Sequence, residues 1–161
     1  SQHGETTRIF DLNQTLTSHE PLSPTSFGLS VHNSIPGLWS IIRGDKTESV
    51  ALSVADDGLE HAVIEGALLL NQGANAALIV VTEEVPPAAY APWINDVPFP
   101  YAVALRIEPG TDWQLEVRSG ALPVTKSPWP NPLNLIRHLC LGSSSFQNTG
   151  GNHHWRWSRN T

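Results

Sequence analysis

The stretch "SVALSVADDGLEHAVIEGALLL", residues 49–70, decides the fold. It opens with small and β-branched residues, as a strand does, and changes abruptly at Ala55, Asp56 and Asp57. From there Leu59, Ala62, Val63, Ile64, Ala67, Leu68, Leu69 and Leu70 go nearly all round a helix, the pattern of a helix packed between layers. Asp57 as N-cap with Glu60 three positions on has the form of a capping box. Asn71-Gln72-Gly73 stops the helix, and "ANAALIVVTEE" (74–84) then reads as a continuous apolar strand of the kind buried in parallel sheets. Strand, helix and strand at this length make a βαβ unit, so the chain is expected to be α/β. A strand breaking into a helix is a favoured seat for a nucleophile, because free N–H groups and a positive dipole end meet there. This corner holds no Ser, Cys or Lys.

Outward from this unit the elements are shorter. Residues 5–16 mix Ile9, Phe10, Leu12 and Leu16 with polar neighbours and are expected to be helical. "SHEPLSPTSFG" (18–28) is expected to be a loop. "SIPGLWSIIR" (34–43) reads as a helix capped by Ser34, with Pro36 in its first turn and Gly44-Asp45 ending it. "VPPAAYAPWINDVPFP" (85–100) is a proline-rich excursion, too long for a simple connector. "YAVALRIE" and "DWQLEVRS" are expected to form a hairpin around Pro109-Gly110-Thr111, and "NPLNLIRHLCLG" a short helix. At the end Trp155 and Trp157 alternate as in an edge strand, after a flexible Gly150-Gly151.

Composition bounds the function. A chain of 161 residues with 40% hydrophobic and 15% charged residues is expected to be one ordinary globular domain, 1–161. The net charge of −6 and the scatter of its nine basic residues argue against a nucleic-acid surface. No apolar run approaches the length of a membrane span, and the N-terminal residues lack the form of a signal peptide. Cys140 is alone, which leaves no intrachain disulfide and makes a reduced, cytoplasmic setting the natural reading. With Ser1 first and no Met anywhere, the expectation is a fragment lacking N-terminal residues.

Candidate chemistry is sparse. "GLSVHN" (28–33) resembles half of a G-x-S-x-G elbow, but His32 replaces the second Gly. Ser30 and His32 would serve an alternative reading as a degenerate acyltransferase or serine hydrolase; Ser30 and Asn33 bonding loop backbone is the structural reading. His153 and His154 are adjacent and would point to opposite faces of a strand, so a surface pair is expected rather than a metal site. Asp56 and Asp57 read as caps that complement the dipole, not as paired acid–base carboxylates. Cys140 is expected to be buried and inert, and His61 to be packed and hydrogen-bonded. Of the six Trp residues, Trp39 and Trp113 are expected in the core and Trp93 at a partner contact. No metal or cofactor is implied.

Taken together, "SQHGE", "PLSPTSFGLSVHNSIPGLWSIIRGD" and "ADDGLEHAVIEGALLL" resemble the chain-length-factor-like branch of the β-ketoacyl synthases, in the short form associated with bacterial aryl polyene clusters. The resemblance covers roughly residues 1–82, with the Ser-Val-His-Asn block its most specific piece. Gln2 departs from the Arg common there, and residues 83–161 match loosely. The resemblance implies a thiolase-like fold, here truncated to a βαβ core with a C-terminal β-hairpin and short helix. It places the nucleophilic Cys of an active synthase at Ala55. It further implies a catalytically silent subunit that pairs as a heterodimer with an active synthase, with acyl carrier protein a further partner. Such a subunit would serve fatty acid, aryl polyene or polyketide synthesis by helping to shape the acyl-chain chamber. On this resemblance His32, Asn33, Ala55, Asp56 and Asp57 would line the chamber. The segment Ser49, Val50, Ala51, Leu52, Ser53 and Val54 would be the dimer-edge strand. An unpaired edge of that kind would otherwise be an aggregation liability.

Overall fold

A computed structural model describes residues 1–120 and 127–160. They form two compact units: Ser1, residues 3–53 and residues 83–100 make the first, and Gln2, residues 54–82 and the chain from Tyr101 onward the second.

The first unit is helical. It contains α1 (Thr6–Thr17), α2 (Pro24–Leu29) and α3 (Ser34–Arg43), with a short 3-10 turn at Ala88–Tyr90. The helix α2 lies where the sequence reads as a loop. Its cause is local: Ser23 accepts from the Ser26 amide at 3.2 Å as N-cap, and Pro24 takes the first turn, where its missing N–H leaves nothing unpaired. The ends of α3 match the expectation, but its N-cap is Asn33, and the Ser34 hydroxyl instead donates to the Leu29 carbonyl at 3.0 Å. Gly44 closes α3 in the left-handed region at φ 63°, as helix ends favour. Phe10 of α1 meets Tyr90 edge-on, with ring centroids 5.8 Å apart.

The second unit holds α4 (Gly58–Asn71), β1 (Ala77–Glu83, its last residue counted with the first unit), β2 (Tyr101–Ile107), β3 (Trp113–Ser119), α5 (Asn131–Cys140), β4 (Ser145–Gly150) and β5 (His153–Arg159). β1 pairs with β2, and a three-stranded antiparallel sheet runs in the order β3-β5-β4. The expected hairpin of β2 on β3 is therefore not formed. β3 lies beside β5 because that register sets Leu115 against Trp157 and Val117 against Trp155. The hairpin of the unit is β4–β5, and β5 is its central strand rather than an edge, with both indoles buried.

Leu59, Ile79, Val81, Leu135, Phe146 and Trp157 form the core, with Leu105, Ile107, Trp113 and Leu115 packed against it. Helix α4 comes close to the β1–β2 pair through Gly66, where an added Cβ would stand 2.8 Å from the Ile107 side chain. Along β1, Ala77, Ile79 and Val81 are buried while Leu78 and Val80 are exposed, so the strand alternates rather than being covered on both faces. Of the expected strand–helix–strand unit, α4 and β1 are formed. Residues 49–55 carry no strand assignment, because a strand needs a ladder partner and this segment has none among the described residues. Cys140 is exposed, the reverse of the expectation. It ends α5 on the side away from Leu135, through which the helix packs.

Candidate functional site

The corner before α4 is a tight, strained turn. The Asp57 amide donates to the Ala55 carbonyl at 2.7 Å, closing a three-residue turn around Asp56, whose φ is +60°. A γ-turn of that hand is rare and strained, and strain of this kind persists only where surrounding structure holds it. What holds it is the β4–β5 hairpin. The Gly151 amide donates to the Asp56 carboxylate at 3.1 Å. Gly150 approaches so closely that a Cβ there would lie 2.4 Å from Asp57 Cβ. Only glycine fits that contact.

Asp57 is the N-cap of α4 by position, yet its side chain makes no capping bond. Its buried Oδ2 instead accepts from His153 Nδ1 at 2.9 Å and from Trp155 Nε1 at 3.0 Å. His61 Nδ1 donates to the Asp57 carbonyl at 3.0 Å and packs edge-on against Trp155, as its packed reading required. The expected capping box is therefore replaced by a clamp. One carboxylate ties the helix start to the central strand.

Glu60, expected to complete that box, is wholly buried. Its Oε1 accepts from Asn148 Nδ2 at 2.6 Å and Trp157 Nε1 at 3.4 Å, and its Oε2 from Asn131 Nδ2 at 3.1 Å. Asn134 Nδ2 donates to Asn148 Oδ1 at 2.7 Å, which fixes the Asn148 amide with its nitrogen toward Glu60. Burial raises the Glu60 pKa above the ordinary carboxylate value, and the bonds from Asn148 and Asn131 offset part of that rise. This network joins α4 to α5, β4 and β5. The spacing of Asn131, Asn134 and Asn148 carries no motif, so sequence reasoning passed over them.

The remaining candidates do not assemble a catalytic set. Ser30 Oγ donates to the Phe27 carbonyl at 2.8 Å, the backbone role the structural reading gave it. His32 and Asn33 are exposed residues of the first unit, in the turn between α2 and α3. His154 Nε2 donates to the Gly120 carbonyl at 2.6 Å, so the paired histidines have different partners. Among the described residues no group of three His, Cys, Asp or Glu side chains could hold a metal ion. Trp113 packs on the core as expected, whereas Trp39 is exposed and lies under the Arg43 guanidinium, 5.4 Å from its ring. In the first unit a polar cleft of about 380 Å³ is lined by Glu5, Arg8, Asp11, Thr15, Ser23 and Glu84, and none of the candidate site residues lines it. No helix among the described residues is long and apolar enough to cross a membrane.

The family model for the N-terminal domain of β-ketoacyl synthases matches residues 1–158. This chain belongs to that family. Among solved structures it is similar to a chain of the ketosynthase (ApeO) in complex with its chain length factor (ApeC) from Xenorhabdus doucetiae. The two are 31% identical with a TM-score of 0.89, over 98% of this chain and 66% of that one. No curated protein matches. The chain therefore has the thiolase-like ketosynthase fold that the resemblance implied. The strained turn at Ala55-Asp56-Asp57 immediately precedes α4 in this synthase-family domain.

Proposed function

We propose that this synthase-family chain is a non-catalytic subunit of chain-length-factor type. It pairs with an active β-ketoacyl synthase in fatty acid, aryl polyene or polyketide synthesis and helps to shape the chamber that holds the growing acyl chain. One observation carries the reading. The corner is intact and clamped, yet Ala55 offers no nucleophile, and both neighbouring carboxylates are engaged in holding the turn. A corner kept in strained form without an attacking group fits a role in architecture and pairing. The similarity to a chain from a ketosynthase–chain length factor complex supports the same reading. His32, Asn33, Ala55, Asp56 and Asp57 are the proposed chamber residues, and Ser49 to Val54, which lack a ladder partner among the described residues, the proposed dimer edge. Acyl carrier protein as a further partner and a cytoplasmic setting belong to this proposal as well.

The test is co-purification with candidate active β-ketoacyl synthases, followed by chain-extension assays with and without this subunit. The expected result is a stable pair whose product length depends on this chain, and an Ala55→Cys variant that extends no acyl chain by itself. Condensing activity from that variant alone, or no binding to any of the candidate synthases, refutes the reading.

A further inference from the structure

His153 reads in the sequence as half of a surface pair, and the structure separates the two. His154 turns to the Gly120 carbonyl, whereas His153 Nδ1 meets Asp57 Oδ2 at 2.9 Å. A carboxylate only accepts, so Nδ1 carries the proton of that bond. The Asp57 side chain is 5% exposed, and its Oδ2 has a second donor in Trp155 Nε1 at 3.0 Å. The two donors differ in kind. Trp155 is a core residue, fixed by its packing. The His153 side chain is 43% exposed and touches Trp155 edge-on, with ring centroids 5.9 Å apart. It opens β5 directly across from Gly150, and Gly150 and Gly151 are the residues that press on Asp57 and hold Asp56. His61 is no substitute, because its Nδ1 donates to the Asp57 carbonyl. Two donors arriving on one oxygen fix the plane of a carboxylate, whereas one leaves it free to turn about its Cβ–Cγ bond.

We propose that His153 is a positioning residue: acting through Asp57, it sets the placement of Ala55 and Asp56 at the corner, and so the length of acyl chain that the pair makes. The inference rests on the chamber reading given above and deepens it, since it names a residue outside the corner that governs the corner. The coupling is short. The Asp57 amide closes the turn on the Ala55 carbonyl, so a shift of Asp57 carries the two residues before it. A strained turn persists only while its neighbours hold it, and His153 is the holder at the hairpin end. His153 does this without touching the acyl chain.

Two substitutions in the chain co-expressed with its synthase test it. His153→Ala removes the donor, and His153→Asn keeps an N–H close to the Nδ1 position. Both are expected to bind the synthase within about threefold of the parent, while the share of the parent's main product falls by about threefold or more in the Ala variant alone. Recovery in the Asn variant is the result that a loss of stability or of ring packing would not give. A folded, paired Ala variant with the parent's product distribution overturns the inference and leaves the pairing intact. So does an Asn variant that behaves as the Ala variant does. The parent chain supplies a measurement that needs no variant to fold. Nuclear magnetic resonance of the imidazole nitrogens, with the ring neutral, is expected to find the His153 proton on Nδ1, and a proton on Nε2 overturns the bond to Asp57 and the inference with it. A parent chain that binds no synthase while Nδ1 holds the proton overturns the pairing itself, and with it any role for His153 in chain length.

Discussion

Removing the Asn148 side chain isolates the worth of the buried Glu60 network. Asn148 is 1% exposed and Glu60 fully buried, so neither loses its partner to water. Asn148→Ala deletes the 2.6 Å bond to Glu60 and leaves Asn134 without its 2.7 Å acceptor. A bond to an ionised buried group contributes about 1.5–3 kcal/mol, and the vacated space adds about 1 kcal/mol, giving about 2.5–4 kcal/mol when Glu60 is charged. When Glu60 is protonated the lost bond is a neutral one, and the effect falls to about 2 kcal/mol. The sign follows from the pKa. The folded Glu60 pKa is raised, so the parent gains stability from this group below the ordinary carboxylate range and loses it as pH rises through the raised value. Without the Asn148 donor the pKa rises further, so the difference between variant and parent must widen with pH. Urea unfolding followed by tryptophan emission at several pH values between 4 and 8 reads this directly, given the buried Trp155 and Trp157 (about 1.4 kcal/mol of widening for each unit of added pKa shift). Destabilisation that is constant across that range, or that shrinks as pH rises, refutes the account of Glu60 as a buried carboxylate held by amide donors. Repeating the series in a Glu60→Gln background should abolish the pH dependence.

Gly150→Ala should destabilise by about 2 kcal/mol or more, because its Cβ would meet Asp57 at 2.4 Å, and thermal unfolding measures it. Asp57→Ala should lower stability by about 1–3 kcal/mol by stranding the buried Trp155 N–H, with a shift in tryptophan emission as the corroborating signal. If residues 49–54 pair with the synthase, a folded Leu52→Pro variant should bind it about a hundredfold more weakly in a titration, since proline removes a ladder donor. Unchanged affinity would place the edge elsewhere. Ser30→Ala should leave pairing and product length within about twofold in the same assays, since its hydroxyl only caps α2 through the Phe27 carbonyl. A large loss of activity with pairing intact would instead favour the hydrolase alternative.

The sequence by itself determined what depends on near neighbours. The ends of α3, the stop of α4 at Asn71 and the strand at 77–83 follow from caps, glycine and periodicity, all acting within a few residues. The family was legible too, because the Ser-Val-His-Asn block and its flanks are contiguous in the sequence. Tertiary structure decided what depends on distant ones. Asp57 and Glu60 have the spacing of a capping box, and locally nothing distinguishes them from one. Their carboxylates turn inward because Trp155 and Trp157 donors arrive from 98 and 97 residues away. The pairing of β3 with β5 rather than β2, and the seat of Asn148 beside Glu60, have the same origin. A buried carboxylate must collect its donors from whatever the fold brings near it, and no local pattern records which residues those will be.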